Sequence, residues 1–132
     1  MLTPEQLADL PIFPLPNMVM FPGSILPLHI FEPRYRSMIA WCLEHESPVG
    51  VAMIQHGSEG AQLADPALVP ICGVAQIQRH TELPDGRYNL ILRATDRVNL
   101  EEELPQRDGF RRFRARELPD LQADPQILAR HL

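Results

Sequence analysis

The sequence predicts one α+β domain, a barrel or curled sheet of mostly antiparallel strands packed with a single main helix. Its 132 residues fall within the ~100–150 residues of a typical domain. Fourteen prolines against seven glycines disfavour a helical bundle, because proline breaks helices and central strands. Short strand signals around tight turns outnumber the one clear helical stripe, which favours a β scaffold closed by a helix.

The clearest strand signal is a hairpin around Pro84-Asp85-Gly86. Proline presets φ in such a turn and glycine accepts a positive φ, while residues 87–94 alternate apolar and polar side chains as a strand does. Further strands are predicted at 25–31, 49–54, 98–104 and 110–118, with a turn at Arg107-Asp108-Gly109. Residues 11–16 hold too many prolines for a central strand and are predicted to form an extended edge segment.

The main helix is predicted to open at Glu32-Pro33, because proline is tolerated at the first helical position. It carries one apolar stripe at helical spacing, and the stripe consists of Tyr35, Met38, Ile39, Cys42 and Leu43. The stripe is interpreted as core. Ser47-Pro48 should end the helix, since the residue before proline avoids helical angles. A short helix near the start is also predicted, with Thr3 and Gln6 as a capping box.

Composition excludes several activities. All twelve basic residues are arginine, so the chain cannot supply the lysine of a P-loop, a Ser–Lys dyad or a Schiff base. An enzyme is therefore disfavoured and no cofactor is expected. The net charge of -5 argues against generic nucleic-acid affinity. Cys42-x-x-His45 resembles half of a metal site, but no second ligand pair lies at a suitable spacing, so no metal is expected.

No segment resembles a secretory signal or reaches the ~20 apolar residues of a membrane span. Cys42 and Cys72 have no framework spacing, so we expect free, buried thiols in a reduced cytoplasm and no membrane partner. A pairing of the two cysteines and a homodimer remain open alternatives.

The stretch from Ile12 to Tyr35 resembles a known family. It runs Ile-Phe-Pro-Leu-Pro-Asn-Met-Val-Met-Phe-Pro-Gly-Ser-Ile-Leu-Pro-Leu-His-Ile-Phe-Glu-Pro-Arg-Tyr, which is similar in order and spacing to the opening signature of Lon protease N-terminal domains. Weaker similarity follows at 73–77, 83–93 and 115–120. One segment departs from the pattern, because Arg93-Ala-Thr-Asp-Arg-Val98 lacks the glycine and the arginine-phenylalanine pair usual after the hairpin.

The resemblance implies a PUA-like pseudo-barrel that recognises unfolded or tagged polypeptide segments and works with a protease or chaperone. It places the β domain at residues 1–122, and residues 123–132 would begin a helix leading into a helical bundle that is missing here. The motif residues are interpreted as mainly structural: Pro14, Leu15, Phe21, Pro22, Gly23, Leu26, Pro27, Leu28, Phe31, Glu32, Arg34 and Tyr35.

The peptide site is predicted at Met18, Met20, Phe21 and Met53. Methionine is flexible and polarizable, so it adapts to varied apolar partners, although it also fills gaps in cores. The alternative function is RNA binding through Arg112, Arg114 and Arg116, which share one face of the last strand because strand side chains alternate. We expect these arginines instead to pair with Glu101, Glu102 and Glu103 across the hairpin, since opposite charges on neighbouring strands attract.

Overall fold

The structure is a computed structural model that describes residues 2–16, 20–55 and 65–119. The predicted helix at 123–132 lies outside these residues. In chain order the elements are α1 (Pro4–Ala8), β1 (Leu10–Leu15), β2 (Ile25–Ile30), α2 (Pro33–His45), β3 (Val49–Met53), β4 (Ile71–Glu82), β5 (Tyr88–Arg107) and β6 (Phe110–Glu117). Neither described helix is long and apolar enough to cross a membrane.

The strands form one sheet that closes on itself. Its order is β2-β5-β4-β3-β1-β6, and β6 pairs back onto β5, so β5, β4, β3, β1 and β6 make a ring with β2 added at one edge. Among the described strands β1 and β3 run parallel, and the other pairs are antiparallel. The predicted α+β class and mostly antiparallel barrel are thus confirmed.

Alternate side chains of the ring strands enter two separate cores, as the two-residue period of a strand requires. On β3, Val49 and Val51 join a core covered by α2, whereas Ala52 joins a second core. The second core holds Leu2 and takes residues from all five ring strands, among them Leu10 and Phe113. The ring strands therefore carry apolar residues on both faces, because each face packs in one of the two cores.

The two predicted helices that fall within the described residues are confirmed. Thr3 and Gln6 exchange the two hydrogen bonds of a capping box at α1. The α2 stripe is core, with Tyr35, Met38, Ile39 and Cys42 buried. Glu32 is the N-cap of α2 but makes no capping hydrogen bond with its side chain, which instead lies 3.2 Å from Arg34 Nη2.

The prediction that residues 11–16 form an edge segment is wrong, because β1 lies between β3 and β6. The two neighbours pair with different parts of β1: β6 with residues 10–12 and β3 with residues 12–15. Most of β1 is thus paired on one side only. A proline is tolerated where its missing N–H would face the unpaired side.

The two predicted strands at 87–94 and 98–104 are one strand of 20 residues, β5. The register against β4 shifts between Val74 and Ala75, which places the extra residue Thr95 in a bulge. A bulge bends a strand without ending it, so one continuous strand pairs with β2 at its start and with β6 at its end. Both predicted turns are confirmed, with φ of 89° at Gly86 and 87° at Gly109.

Candidate functional site

An apolar pocket of about 60 Å³ opens beside the start of β4. Its wall combines the segment before β2, the end of β3, and facing residues of β4 and β5. The residues that line it are Met20, Phe21, Val51, Met53, Val69, Ile71, Cys72, Gly73 and Arg97.

The floor of the pocket depends on a glycine. A Cβ atom at Gly73 would lie 2.9 Å from Met20 Cβ, closer than two carbon atoms can pack. Because Gly73 has no side chain, Met20 packs directly against β4 and is only 4% exposed. Gly73 pairs with Val51 and Arg97 on its two neighbouring strands, so the glycine sits at the centre of the site.

A tight turn holds Phe21 at the rim. The Phe21 N–H donates to Ser24 Oγ at 3.3 Å, and the Ser24 N–H donates to the Phe21 carbonyl at 2.9 Å. Gly23 occupies a φ of 92°, which glycine adopts without steric cost, and its N–H donates to the Ala94 carbonyl at 2.8 Å. The turn thereby fixes a phenylalanine beside the pocket while anchoring it to β5.

The rim carries two exposed, large apolar side chains. Phe21 is 56% exposed and Ile71 is 44% exposed, and both line the same small pocket. Single exposed apolar side chains are ordinary, but apolar groups that gather around a concavity are typical of a binding surface.

The structure brings together three of the predicted peptide-site residues, Met20, Phe21 and Met53. Met18 lies outside the described residues. The pocket is also lined by Ile71, Gly73 and Arg97, which are not among the residues that the sequence predicts for it. Gly73 begins one of the stretches that carry the family resemblance, but nothing local in the sequence shows that β4 packs against residue 20.

The family-motif residues lie in several different settings. Leu26 and Tyr35 belong to the α2 core, and Pro22 and Gly23 form the turn after Phe21. Arg34 packs over the Tyr35 ring at 4.7 Å. Phe31 is 59% exposed and stacks on His29 with ring centroids 6.1 Å apart. The remaining motif residues fall on β1 and the edge strand β2: Pro14, Leu15, Pro27 and Leu28.

The arginines of β6 are held by neighbouring acceptors. Arg114 lies 3.0 Å from Glu101 and 3.2 Å from Glu102, and Arg116 lies 3.3 Å from Glu101. Arg112 differs from the expectation, since it pairs with Asp9 at 3.2 Å rather than with a glutamate of β5. The predicted glutamate pairing is therefore present for two of the three arginines.

Glu103 instead pairs with Arg111, the buried cation of β6. Arg111 Nε and Nη2 donate to the two carboxylate oxygens at 2.7 and 2.8 Å, and Nη1 donates to the Pro66 carbonyl at 2.7 Å. The hydrogen bonds to Glu103 raise the pKa of Arg111 although burial opposes this. All three donor nitrogens are thus satisfied.

The cysteines are free and buried, as predicted. Burial raises the pKa of both Cys42 and Cys72 to about 12, so neither thiol ionises near neutral pH. His45 Nδ1 lies 2.9 Å from the Trp41 carbonyl, and its ring stacks on the Trp41 ring at 4.3 Å. Within the described part of the chain, no group of His, Cys, Asp and Glu side chains could hold a metal ion.

A closed barrel with a covering helix and an apolar surface pocket defines this chain as a small α+β domain. The family model for the ATP-dependent protease La (LON) substrate-binding domain matches residues 9–131. The chain belongs to this family, as the resemblance at residues 12–35 indicates.

Similarity to Lon proteases supports this membership. The chain is 34% identical over 122 residues to a Lon protease of Parabacteroides distasonis, covering 91% of this chain and 14% of that protein. A Lon protease of Xanthomonas oryzae pv. oryzae is 34% identical over 109 residues, which is 80% of this chain and 12% of that protein. The chain thus spans a small fraction of the length of these relatives.

Solved structures share the fold. A Lon N-terminal domain protein from Xanthomonas campestris matches with a TM-score of 0.68 and 26% identity, over 86% of this chain and 61% of that one. The N-terminal domain of a Mycobacterium avium complex Lon protease matches with a TM-score of 0.65 and 13% identity, over 92% of this chain and 60% of that one. The second match supports the fold alone.

Proposed function

We propose that this chain is a non-catalytic module that binds unfolded or otherwise exposed polypeptide segments through their apolar side chains. The observation that carries the proposal is the pocket with Phe21 and Ile71 exposed at its rim. Membership of a family described as a substrate-binding domain supports it. The partner would be a segment that a folded protein normally buries, delivered to a protease or a chaperone.

The size and composition of the pocket suit this task. About 60 Å³ accepts part of one aliphatic or aromatic side chain, which leaves the rest of the ligand on the rim. Burial of the exposed half of Phe21 against a ligand would stabilise the complex by about 1–1.5 kcal/mol, roughly half of the value for a fully exposed phenylalanine. Met20 and Met53 line the wall, and methionine adapts its shape to different apolar groups. Such a site would accept many segments with modest affinity.

The side chains offer little support for catalysis. A pKa of about 12 keeps both cysteines protonated at neutral pH, and the thiol form is a poor nucleophile. The sequence has no lysine, which removes amine nucleophiles and bases from the side chains. We therefore assign binding without chemistry to this chain.

The alternative function, RNA binding through Arg112, Arg114 and Arg116, gains no support from their contacts. Each of these arginines lies within 3.3 Å of a carboxylate oxygen. A phosphate would have to displace that carboxylate before it could bind, and the free energy lost would offset the gain.

The proposal is tested by exchanging one exposed phenylalanine for serine. The ligand is a short labelled peptide rich in leucine and phenylalanine, and binding is followed by fluorescence anisotropy. Phe21→Ser should weaken binding about five- to ten-fold, because the lost contact is worth about 1–1.5 kcal/mol. Since Phe21 is 56% exposed, the fold should tolerate the change.

The matched control is Phe31→Ser. Phe31 is 59% exposed but does not line the pocket, so this variant should bind the peptide as the wild type does. Equal affinities for all three proteins would place the apolar site elsewhere. A wild-type protein that does not bind the peptide would remove the proposed function.

A further inference from the structure

Arg97 joins the pocket to a neighbouring groove. It is the charged residue among those that line the pocket, and it also lines a groove of about 270 Å³ on the β6 side. On β5 it pairs with Gly73 of β4. The glycine has no side chain, and Met20 occupies the space that one would fill, so Met20 and Arg97 line the same pocket. Arg97 as a whole residue is half-buried.

The described residues provide Arg97 with no side-chain hydrogen bond or ion pair. The β6 arginines and Arg107 differ, since each of these lies near a carboxylate. A half-buried arginine that is not paired keeps its full capacity for a charge-assisted hydrogen bond. An apolar pocket with one such cation at its edge fits an apolar side chain that is accompanied by a carboxylate.

The carboxylate could belong to an acidic side chain or to a chain terminus, and the turn at the rim favours the side chain. Terminal carboxylates are usually held by free backbone N–H groups. Here the N–H groups of Phe21, Gly23 and Ser24 are all bonded within the fold, and Pro22 has none. These N–H groups are therefore not available to a terminal carboxylate. The Arg97 guanidinium remains as the hydrogen-bond donor, and it is sufficient to bind a side-chain carboxylate.

The surface beyond Arg97 has room for a chain that continues. The groove at Arg97 shares Pro22 and Thr95 with a further open groove of about 460 Å³, which Arg93 lines. On the β6 side, Glu117 lines the first groove, and its carboxylate would repel a second acidic residue. These charges favour a ligand with a single carboxylate, placed on the pocket side of Arg97.

We infer that Arg97 makes the pocket select polypeptide segments in which an apolar anchor residue is adjacent to an aspartate or glutamate. The apolar side chain enters the pocket lined by Met20 and Met53, and the acidic side chain accepts hydrogen bonds from the Arg97 guanidinium. This inference rests on the proposed function, because it names the class of segment that the same pocket binds.

The test uses the full chain and two peptides that differ in one residue beside a central leucine-phenylalanine anchor. One peptide carries aspartate, the other asparagine, and both are acetylated and amidated so that neither terminus is charged. The wild type should bind the aspartate peptide about five-fold more tightly, as expected for one partly exposed charge pair. Arg97→Gln should bind both peptides equally, and Arg97→Glu should prefer the asparagine peptide.

Arg79→Gln is the matched control. Arg79 is exposed on β4, has no ion pair within the described residues, and lies outside the pocket, so its loss changes the net charge equally and should leave the five-fold preference intact. Equal binding of the two peptides by the wild type would overturn the inference and leave the proposed function standing. If a non-amidated version of the asparagine peptide bound more tightly than the amidated aspartate peptide, the inference would also be overturned. Binding of neither peptide would remove the proposed function itself.

Discussion

The strand β6 and the pocket beside β4 differ in how many arginines they hold and in whether those arginines are available to bind an anion. Residues 111–116 hold four arginines, yet each of them lies close to a carboxylate oxygen. The pocket has one arginine, Arg97, and no carboxylate of the described residues forms an ion pair with it. The most basic stretch of the sequence is therefore less available to an anion than a single cation elsewhere.

The same contrast holds for apolar residues. The α2 stripe is the most regular apolar pattern in the chain, and four of its five residues are buried in the core, with Leu43 partly buried against it. Phe21 and Ile71 belong to no such pattern, and they remain exposed at the pocket. A binding surface consists of side chains that make few contacts within the fold. A regular apolar pattern usually indicates side chains that already pack in the core.

The largest expected effect is the loss of the buried cation of β6. Arg111→Ala would leave the Glu103 carboxylate and the Pro66 carbonyl without their donors. The Arg111 side chain is only 8% exposed, and breaking a buried pair on one side costs about 3–5 kcal/mol. Because Glu103 is 39% exposed and water can reach it, we expect about 3 kcal/mol in urea unfolding.

Arg114→Ala is the control on the same strand. The Arg114 side chain is half exposed, and its partners Glu101 and Glu102 are reached by water. Exposed pairs contribute less than about 1 kcal/mol. Equal losses of unfolding free energy in the two variants would show that burial does not separate Arg111 from the other arginines of β6.

A smaller effect is expected from filling the pocket floor. Gly73→Ala would bring a Cβ atom to 2.9 Å from Met20 Cβ and 3.3 Å from the Met20 carbonyl oxygen. Because the contacts are with main-chain and Cβ atoms, the segment before β2 must move as a whole. We expect a loss of about 1–2 kcal/mol of unfolding free energy, as overpacking usually causes, together with weaker binding of the apolar peptide.

Gly50→Ala is the control that separates the loss of stability from the loss of peptide affinity. Its Cβ atom would meet the Ile12 Cδ1 atom in the second core, away from the pocket, so it should lower stability without changing peptide affinity at temperatures where the variant is folded. Gly73→Ala with unchanged peptide affinity would mean that the position of Met20 is irrelevant to binding.

The sequence predicts local structure well where a single element determines it. The helix α2, the capping box of α1 and the turns at Gly86 and Gly109 depend on neighbours within a few residues, and all are confirmed. The continuity of β5 was missed, because the bulge at Thr95 depends on pairing with Val74 and Ala75. The position of β1 was also wrong, because its staggered neighbours are far away in sequence.

The site could be predicted only in part for the same reason. Met20, Phe21 and Met53 were chosen for the chemistry of their side chains, and the fold brings them into one pocket. Gly73 and Arg97 act through a register between β4 and β5, which no local pattern reveals. Likewise, Arg112 was expected to pair with the glutamates of β5, but the end of α1 places Asp9 beside it.

The smallest expected effect tests whether ion pairs are what keeps β6 from binding RNA. The double variant Glu101→Gln and Glu102→Gln removes the carboxylates nearest Arg114 and Arg116 and changes the net charge from -5 to -3. We expect weak binding of single-stranded RNA at low salt, with a Kd of about 100 µM or more, where the wild type shows none.

A charge-matched double variant makes this test specific to β6. Glu44→Gln with Glu82→Gln gives the same net charge, but both residues are exposed on other elements, α2 and β4. If this control gained RNA affinity to the same extent, the effect would come from net charge and not from released arginines. If the wild type itself bound RNA with a steep salt dependence, the carboxylates would not be sufficient to neutralise β6, and RNA binding would become the stronger hypothesis for that strand.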